Sequence, residues 1–158
     1  MTNERKSSGG SEPWEDEASA YPERESAHFE LKEGTDGKGQ LPFDLEERTA
    51  KFGEVVIRFC KKMPRGPGND RLIDQLVGCG TSVGGNYCEA DEAVSKREFI
   101  NKIGTCKKEA KETKFFLRMA ATAEPNLAEE ARQLWAEAKQ LHLIFSAIFR
   151  SGRRGNDQ

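Results

Sequence analysis

The chain has 158 residues, of which 35% are apolar and 33% charged, and its formal net charge is −2. This length fits one domain of ordinary size, and no run of 18 apolar residues is present that would predict a membrane span. The polar first eleven residues lack the apolar stretch of a secretory signal. Four cysteines without a C-x-x-C pair favour a reducing cytoplasm over a disulfide framework. We therefore expect a cytoplasmic protein with no membrane contact.

The charge is distributed unevenly along the chain. Residues 1–40 contain 5 Lys and Arg against 10 Asp and Glu, whereas residues 41–158 contain 20 against 17. The first segment is also rich in Ser, Gly and Glu, a composition that cannot bury enough apolar surface to fold. The sequence predicts a disordered acidic tail over residues 1–40, a folded domain over 41–152 and a short C-terminal tail over 153–158.

The folded part is predicted to be helical throughout, because its apolar residues recur at alternating spacings of three and four. Each apolar series begins beside a helix-start signal: Asp44 for helix 1, Asn69 or Asp70 for helix 2, Ser95 for helix 3 and Asn126 for helix 4. Helix breakers follow at residues 64–68, and Ser151-Gly152 is expected to end helix 4. Four long amphipathic helices with short connections predict an all-α, antiparallel up-down four-helix bundle.

Two of the helices are apolar or uncharged over a wider arc than a bundle core requires. Residues 75–88 carry no charge and contain four glycines, each costing about 1 kcal/mol of helix propensity relative to Ala. We interpret this pattern as self-association through helices 2 and 4, with these interface residues: Gly80, Gly84, Asn86, Trp135, Leu143 and Phe149. A single chain is then expected to expose Trp135, Leu143 and Phe149. The alternative is that helix 2 is simply the most buried of the four.

The sequence offers little for catalysis or metal binding. Gly78-x-Gly80-x-x-x-Gly84 has the wrong spacing for a dinucleotide loop and follows no strand. His142 lacks the Glu three residues earlier that a di-iron bundle needs, since Lys139 stands there. We predict a non-enzymatic protein with no catalytic residue, no metal and no cofactor.

Basic side chains are the features that could bind a partner. They form one strip on helix 3 (Lys107, Lys111, Lys114 and Arg118) and another on helix 1 (Lys51, Arg58 and Lys62). Aligned cations can contact successive phosphates of RNA or DNA. A solvated charged face is the alternative, because the net charge over residues 41–158 is only +3 and no aromatic residue interleaves with the helix 3 strip as base stacking would require. A second hypothesis is a protein–protein scaffold without nucleic-acid contact.

Three ordered segments resemble a known family: GTSVGGNYCEA at residues 80–90, SKREFINK at 95–102 and KEAKETKFFLR at 108–118. They are similar to the four-helix-bundle family called the 23S rRNA intervening sequence proteins, which is related to the accessory protein of diversity-generating retroelements. The resemblance implies a bacterial, left-handed up-down bundle that assembles into a homopentamer. It also implies no catalytic residues, and the related branch binds nucleic acid and a reverse transcriptase.

Overall fold

The computed structural model describes residues 44–154, which form four long helices. They are α1 (Leu45–Cys60), α2 (Pro67–Asp91), α3 (Lys96–Ala123) and α4 (Ala128–Arg154), with a single 3-10 turn at Pro125–Leu127 before α4. No strand occurs within residues 44–154. The all-α fold predicted from the sequence is confirmed, and the predicted acidic tail over residues 1–40 lies outside the described residues.

Short connections place consecutive helices side by side and antiparallel. The pairs α1–α2, α2–α3 and α3–α4 pack against one another, and α1 meets α4 more loosely to close the bundle. Within the described part of the chain, the backbone of α1 does not approach that of α3, nor that of α2 the backbone of α4, although the rings of Tyr87 on α2 and Phe145 on α4 lie 5.8 Å apart across the core. α1 and α3 are therefore diagonal to each other in the bundle, and so are α2 and α4. The outer surfaces of two diagonal helices face different directions.

Two helices begin at the predicted capping residues. The Asp44 carboxylate accepts a hydrogen bond from the Glu47 backbone N–H at 3.0 Å, and the Ser95 hydroxyl accepts one from the Glu98 N–H at 3.1 Å. Each bond satisfies a backbone donor that has no partner inside the helix. The starts of α1 and α3 are confirmed.

The boundaries of the other two helices differ from the prediction. α2 begins at Pro67 instead of Asn69, because proline fits the first helical position, where its missing N–H costs nothing. Asn126 does not cap α4, since it lies within the 3-10 turn. α4 also continues through Gly152 to Arg154. A Cβ at Gly152 would lie 2.8 Å from Ile100 Cγ1, so this glycine permits α3 and α4 to pack closely and does not end the helix.

The predicted apolar series form the core. The largest fully buried apolar side chains all belong to them: Phe59, Leu76, Ile103, Leu117, Leu141 and Phe145. Complete burial of such a side chain contributes about 1.5–3 kcal/mol relative to leaving it exposed. All four helices therefore contribute side chains to the core, and this packing fixes the rotation of each helix about its own axis.

The glycines of α2 are divided between two sides of the helix. A Cβ at Gly80 would lie 2.8 Å from Val56 Cγ1, and one at Gly84 would lie 3.3 Å from Thr49 Oγ1. Both therefore face α1 of the same chain, and the reason given for assigning Gly80 and Gly84 to an interface between copies was wrong. By contrast, a Cβ at Gly78 or Gly85 would meet nothing within 4 Å.

Candidate nucleic-acid interface

The predicted strip on α1 is neutralised by carboxylates. Each of its three cations forms an ion pair: Lys51 with Glu47 at 3.3 Å, Arg58 with Glu54 at 3.4 Å and Lys62 with Glu130 at 2.9 Å. Such exposed pairs add little stability, but they remove the net positive charge that phosphate binding needs. Because α1 and α3 are diagonal in the bundle, the α1 strip also cannot extend the basic surface of α3.

The open groove between α1 and α4, of about 960 Å³, is no better suited to phosphate. The carboxylates that line it are Asp44, Glu47, Glu129, Glu130 and Glu137, against two cations, Arg48 and Lys51. The Arg48 guanidinium crosses the groove and donates two hydrogen bonds to the Glu137 carboxylate, at 2.7 and 3.0 Å. This side of the bundle is therefore predominantly acidic and would repel a polyanion.

Two of the four cations predicted on α3 are used in packing against α4. The Lys114 side chain is only 6% exposed, and its ammonium lies 5.1 Å from the ring centroid of Trp135. The ammonium of the half-buried Lys107 lies 5.2 Å from the ring centroid of Phe149. These are cation–π contacts within one chain. Including Lys114 in a solvent-facing strip was wrong, because α4 covers that side of α3.

The other two cations of the predicted α3 strip, Lys111 and Arg118, lie one helical turn from Lys107 and Lys114 but nearer the uncovered side of the helix. Lys111 and Arg118 are exposed, and so is Lys108, which the sequence reasoning did not select. No carboxylate of residues 44–154 forms an ion pair with any of these three side chains. Spacings of three, seven and ten residues place them on one side of a helix. Lys108 could have been found from its place three residues before Lys111.

An aromatic ring lies among these cations. Phe115 is 56% exposed and stands four residues after Lys111 and three before Arg118. Its ring contacts Phe116 edge-on, with 5.2 Å between centroids and 80° between the ring planes. The expectation that no aromatic residue interleaves with the basic strip was wrong, because α2 and α4 cover α3 on two sides and leave the arc centred on Lys108 and Phe115 open. We call Lys108, Lys111, Phe115 and Arg118 the outer α3 face.

Two acidic residues in the middle of α3, Glu109 and Glu112, lie on the side of the helix towards α2. Glu109 and Glu112 are half-buried there, and burial raises the pKa of Glu109, with a further rise from Glu112 and an opposing effect of Lys108. Their negative charges also affect a thiol in the core of the bundle. Burial raises the pKa of the Cys79 thiol to about 11, and the charges of Glu112 and Glu109 act in the same direction. The negative charges of Glu109 and Glu112 thus lie on one flank of the outer α3 face.

The residues predicted to join copies of the chain are mostly engaged inside it. Trp135 is 4% exposed, so the expectation that a single chain exposes it was wrong; the ammonium groups of Lys114 and Lys139 lie 5.1 and 5.4 Å from its ring centroid. Phe149 is half-buried and packs beside Gly104, where a Cβ would lie 3.0 Å from the ring. Leu143, by contrast, is 51% exposed as expected.

Asn86 also uses its side chain locally. Its side-chain amide donates a hydrogen bond to the Ser82 carbonyl one turn earlier, at 2.8 Å. The residue is half-buried on α2. This bond satisfies one donor of the amide without any group from a second copy.

Other kinds of site are not seen in the described part of the chain. Within residues 44–154, no three His, Cys, Asp or Glu side chains come together as a metal site would require. None of the four helices described is both long and apolar enough to cross a membrane. All four cysteines are free thiols, and Cys60, Cys79 and Cys106 are buried.

Comparison with known families agrees with this architecture. The model of the 23S rRNA-intervening sequence protein family matches residues 43–147, which include most of the bundle. The chain belongs to this family. A solved crystal structure supports the fold: a protein of unknown function from the S23 ribosomal protein family of Bacteroides thetaiotaomicron VPI-5482 is 23% identical to this chain and superposes on it with a TM-score of 0.59. The match covers 66% of this chain and 97% of that protein. No curated protein matches the chain.

Proposed function

We propose that this family member is a non-enzymatic protein that binds nucleic acid through the outer α3 face. The observation that carries the proposal is the exposure of Lys108, Lys111 and Arg118 on one side of a helix, without ion pairs to carboxylates of residues 44–154. The two strips expected from the sequence are thereby reduced to one, since the α1 cations are paired. The family name connects its members with 23S rRNA, so we choose rRNA fragments as the first ligands to test.

The charge pattern supports binding to a polyanion. Lys108 and Arg118 are ten residues apart, which corresponds to about 15 Å along the helix axis. Each phosphate that such a cation neutralises releases condensed counterions, so affinity falls as the salt concentration rises. Three cations from one chain make only a modest site, and several copies of the face would strengthen binding by acting together.

We further propose that the chain self-associates, as a homopentamer if it follows the family resemblance. Leu143 on α4 is exposed, and the uncharged outer side of α2 includes Gly78 and Gly85. Because α2 and α4 are diagonal in the bundle, a contact between them would join two different faces, and such heterologous contacts generate rings when the rotation closes. Four free thiols are consistent with the reducing cytoplasm as its location.

The electrostatic proposal is tested by comparing two matched double variants, K111Q/R118Q on α3 and K51Q/R58Q on α1. Fluorescence anisotropy measures the affinity for labelled rRNA fragments and for a generic duplex over a series of salt concentrations starting at about 50 mM. For the duplex, loss of two phosphate contacts should reduce the slope of log K against log salt by about 1.8. The α1 variant should keep the wild-type slope, because its two cations already have carboxylate partners.

Two results would contradict the proposal. Absence of binding by the wild-type chain at about 50 mM salt would exclude a phosphate-based interface, because such contacts are strongest there. An equal loss of slope in both variants would show that binding is not confined to the outer α3 face.

The second candidate function is a protein–protein scaffold. Exposed apolar side chains favour it, since Val94 is 92% exposed in the connection between α2 and α3, and Leu143 projects from α4. A pull-down with the wild-type chain should then recover a protein partner that nuclease treatment does not release, and L143K should lose it. Light scattering on the purified chain tests the self-association on which both candidates draw, and a monomer would contradict it.

A further inference from the structure

We propose that Phe115 is a stacking platform for an unpaired base, so that the outer α3 face prefers single-stranded to duplex nucleic acid. The inference rests on the proposed nucleic-acid role of this face and specifies which form of nucleic acid it takes.

The position of Phe115 does not follow from packing of the bundle. More than half of the side chain is exposed, although α3 buries other apolar residues completely, among them Ile103 and Leu117. Phe116 contacts the ring edge-on and limits its movement. A phenylalanine ring has only two side-chain torsions to order, so little entropy is lost when a flat partner lies against it.

The cations around Phe115 are arranged to guide a nucleic-acid backbone past the ring. Lys108 and Lys111 precede Phe115 by seven and four residues, and Arg118 follows it by three, so all three side chains project from the same side of α3. The 15 Å that they span is about the length of four stacked nucleotides in one strand of B-DNA. A strand following these cations would pass directly over the exposed ring.

The ring can distinguish a single strand from a duplex. In a duplex the faces of each base are covered by its neighbours in the stack, so only the phosphates are available to the outer α3 face. In a single strand a base can turn its face to an aromatic side chain, which contributes about 1–3 kcal/mol per base. Phe115 should therefore add affinity for single strands alone, while Lys111 and Arg118 act on both forms.

The same charges argue against the outer α3 face of a second copy as the occupant. If two outer α3 faces met each other, six cations would come together with no carboxylate of residues 44–154 paired to any of them. Like charges at close range oppose such an association. A polyanion satisfies the cations and the ring together.

The experiment measures anisotropy with two labelled probes, a single-stranded oligouridylate of about 15 nucleotides and a duplex of equal length. Four proteins are compared: the wild type, F115A, F115W and the control I57A, which removes an exposed apolar side chain from α1, the helix diagonal to α3. We expect F115A to bind the single strand about 5- to 150-fold more weakly and to change duplex binding less than about two-fold. F115W should retain the single-strand affinity, and I57A should leave both affinities unchanged.

Each other outcome has a definite meaning. If F115A weakens both probes equally, or neither, the stacking inference is wrong while the charge-based proposal stands on its own salt slopes. If the wild type binds neither probe, both proposals fall. If light scattering shows that F115A lowers the mass of the assembly, Phe115 belongs to a contact between copies, and the inference is overturned.

Discussion

The substitution Gly80→Ala tests the closest approach of helices in the bundle. Its added methyl group would lie 2.8 Å from Val56 Cγ1 and 3.1 Å from Cγ2. Val56 is fully buried, and a β-branched side chain in a helix has one strongly preferred rotamer. The valine therefore cannot turn aside, and the backbones of α1 and α2 must separate to admit the methyl group.

The expected magnitude is the difference between two opposing effects. Alanine gains about 1 kcal/mol over glycine in helix propensity, whereas overpacking a core contact costs about 1–3 kcal/mol. G80A should therefore lower the free energy of unfolding by up to about 2 kcal/mol. Within one chain, a Cβ at Gly78 on the same helix would meet nothing within 4 Å, so Gly78→Ala should raise the free energy of unfolding of the single chain by about 1 kcal/mol through helix propensity alone.

Urea denaturation followed by circular dichroism measures these changes. All variants are compared at one protein concentration, because self-association makes the transition depend on concentration. A V56A background serves as a second control: the smaller side chain makes room at Gly80, so G80A should cost less there, with a coupling energy of about 0.5 kcal/mol or more.

The reasoning would be refuted if G80A stabilised the chain as much as G78A does. α1 would then not pack against Gly80, and the methyl group would meet open space. The reasoning would also be wrong if G80A lowered the mass of the assembly without changing the free energy of unfolding, because Gly80 would then belong to a contact between copies.

The remaining predictions concern the thiols, an ion pair and the acidic segment. Burial raises the pKa of three thiols, to about 12 for Cys60 and Cys106 and to about 11 for Cys79. A thiol reagent at pH 8 should therefore label Cys88 alone in the native protein and all four cysteines in denaturant. These raised values keep protons on the folded chain after the unfolded chain has lost them. The contribution of the three thiols to the free energy of unfolding should therefore be constant below about pH 8.5 and decrease as pH rises towards 11, and a flat profile between about pH 8.5 and 11 would contradict their burial. Arg48→Met removes the ion pair with Glu137, whose side chains are 29% and 37% exposed. The free energy of unfolding should fall by about 1 kcal/mol or less, and by a smaller amount at high salt. A fall that is the same at high salt would show that the lost packing of Arg48 dominates. Deleting residues 1–40, with their excess of five negative charges, should tighten nucleic-acid binding, and unchanged affinity would show that this segment does not compete for the cations.

The amino-acid sequence was sufficient for the local features of this protein. Four helices, the caps at Asp44 and Ser95 and the buried apolar series follow from interactions within one or two helical turns, where spacing and side-chain chemistry decide the outcome. The segments at 80–90, 95–102 and 108–118 also led correctly to the family. The two ends of α4 did not follow from local patterns, because the 3-10 turn at Pro125–Leu127 and the close packing of Gly152 depend on neighbouring elements.

Only the tertiary structure decided which side of each helix remains open. Periodicity shows that Lys107, Lys114, Lys108 and Phe115 lie on the polar part of α3, but the arc left uncovered depends on how α2 and α4 pack against it. Packing buries Lys114 against Trp135 and leaves Phe115 among exposed cations. Pairing across the chain is equally invisible to local patterns, as when Lys62 meets Glu130 68 residues later. The candidate site is thus set by contacts between helices, for which a single helical period carries no information.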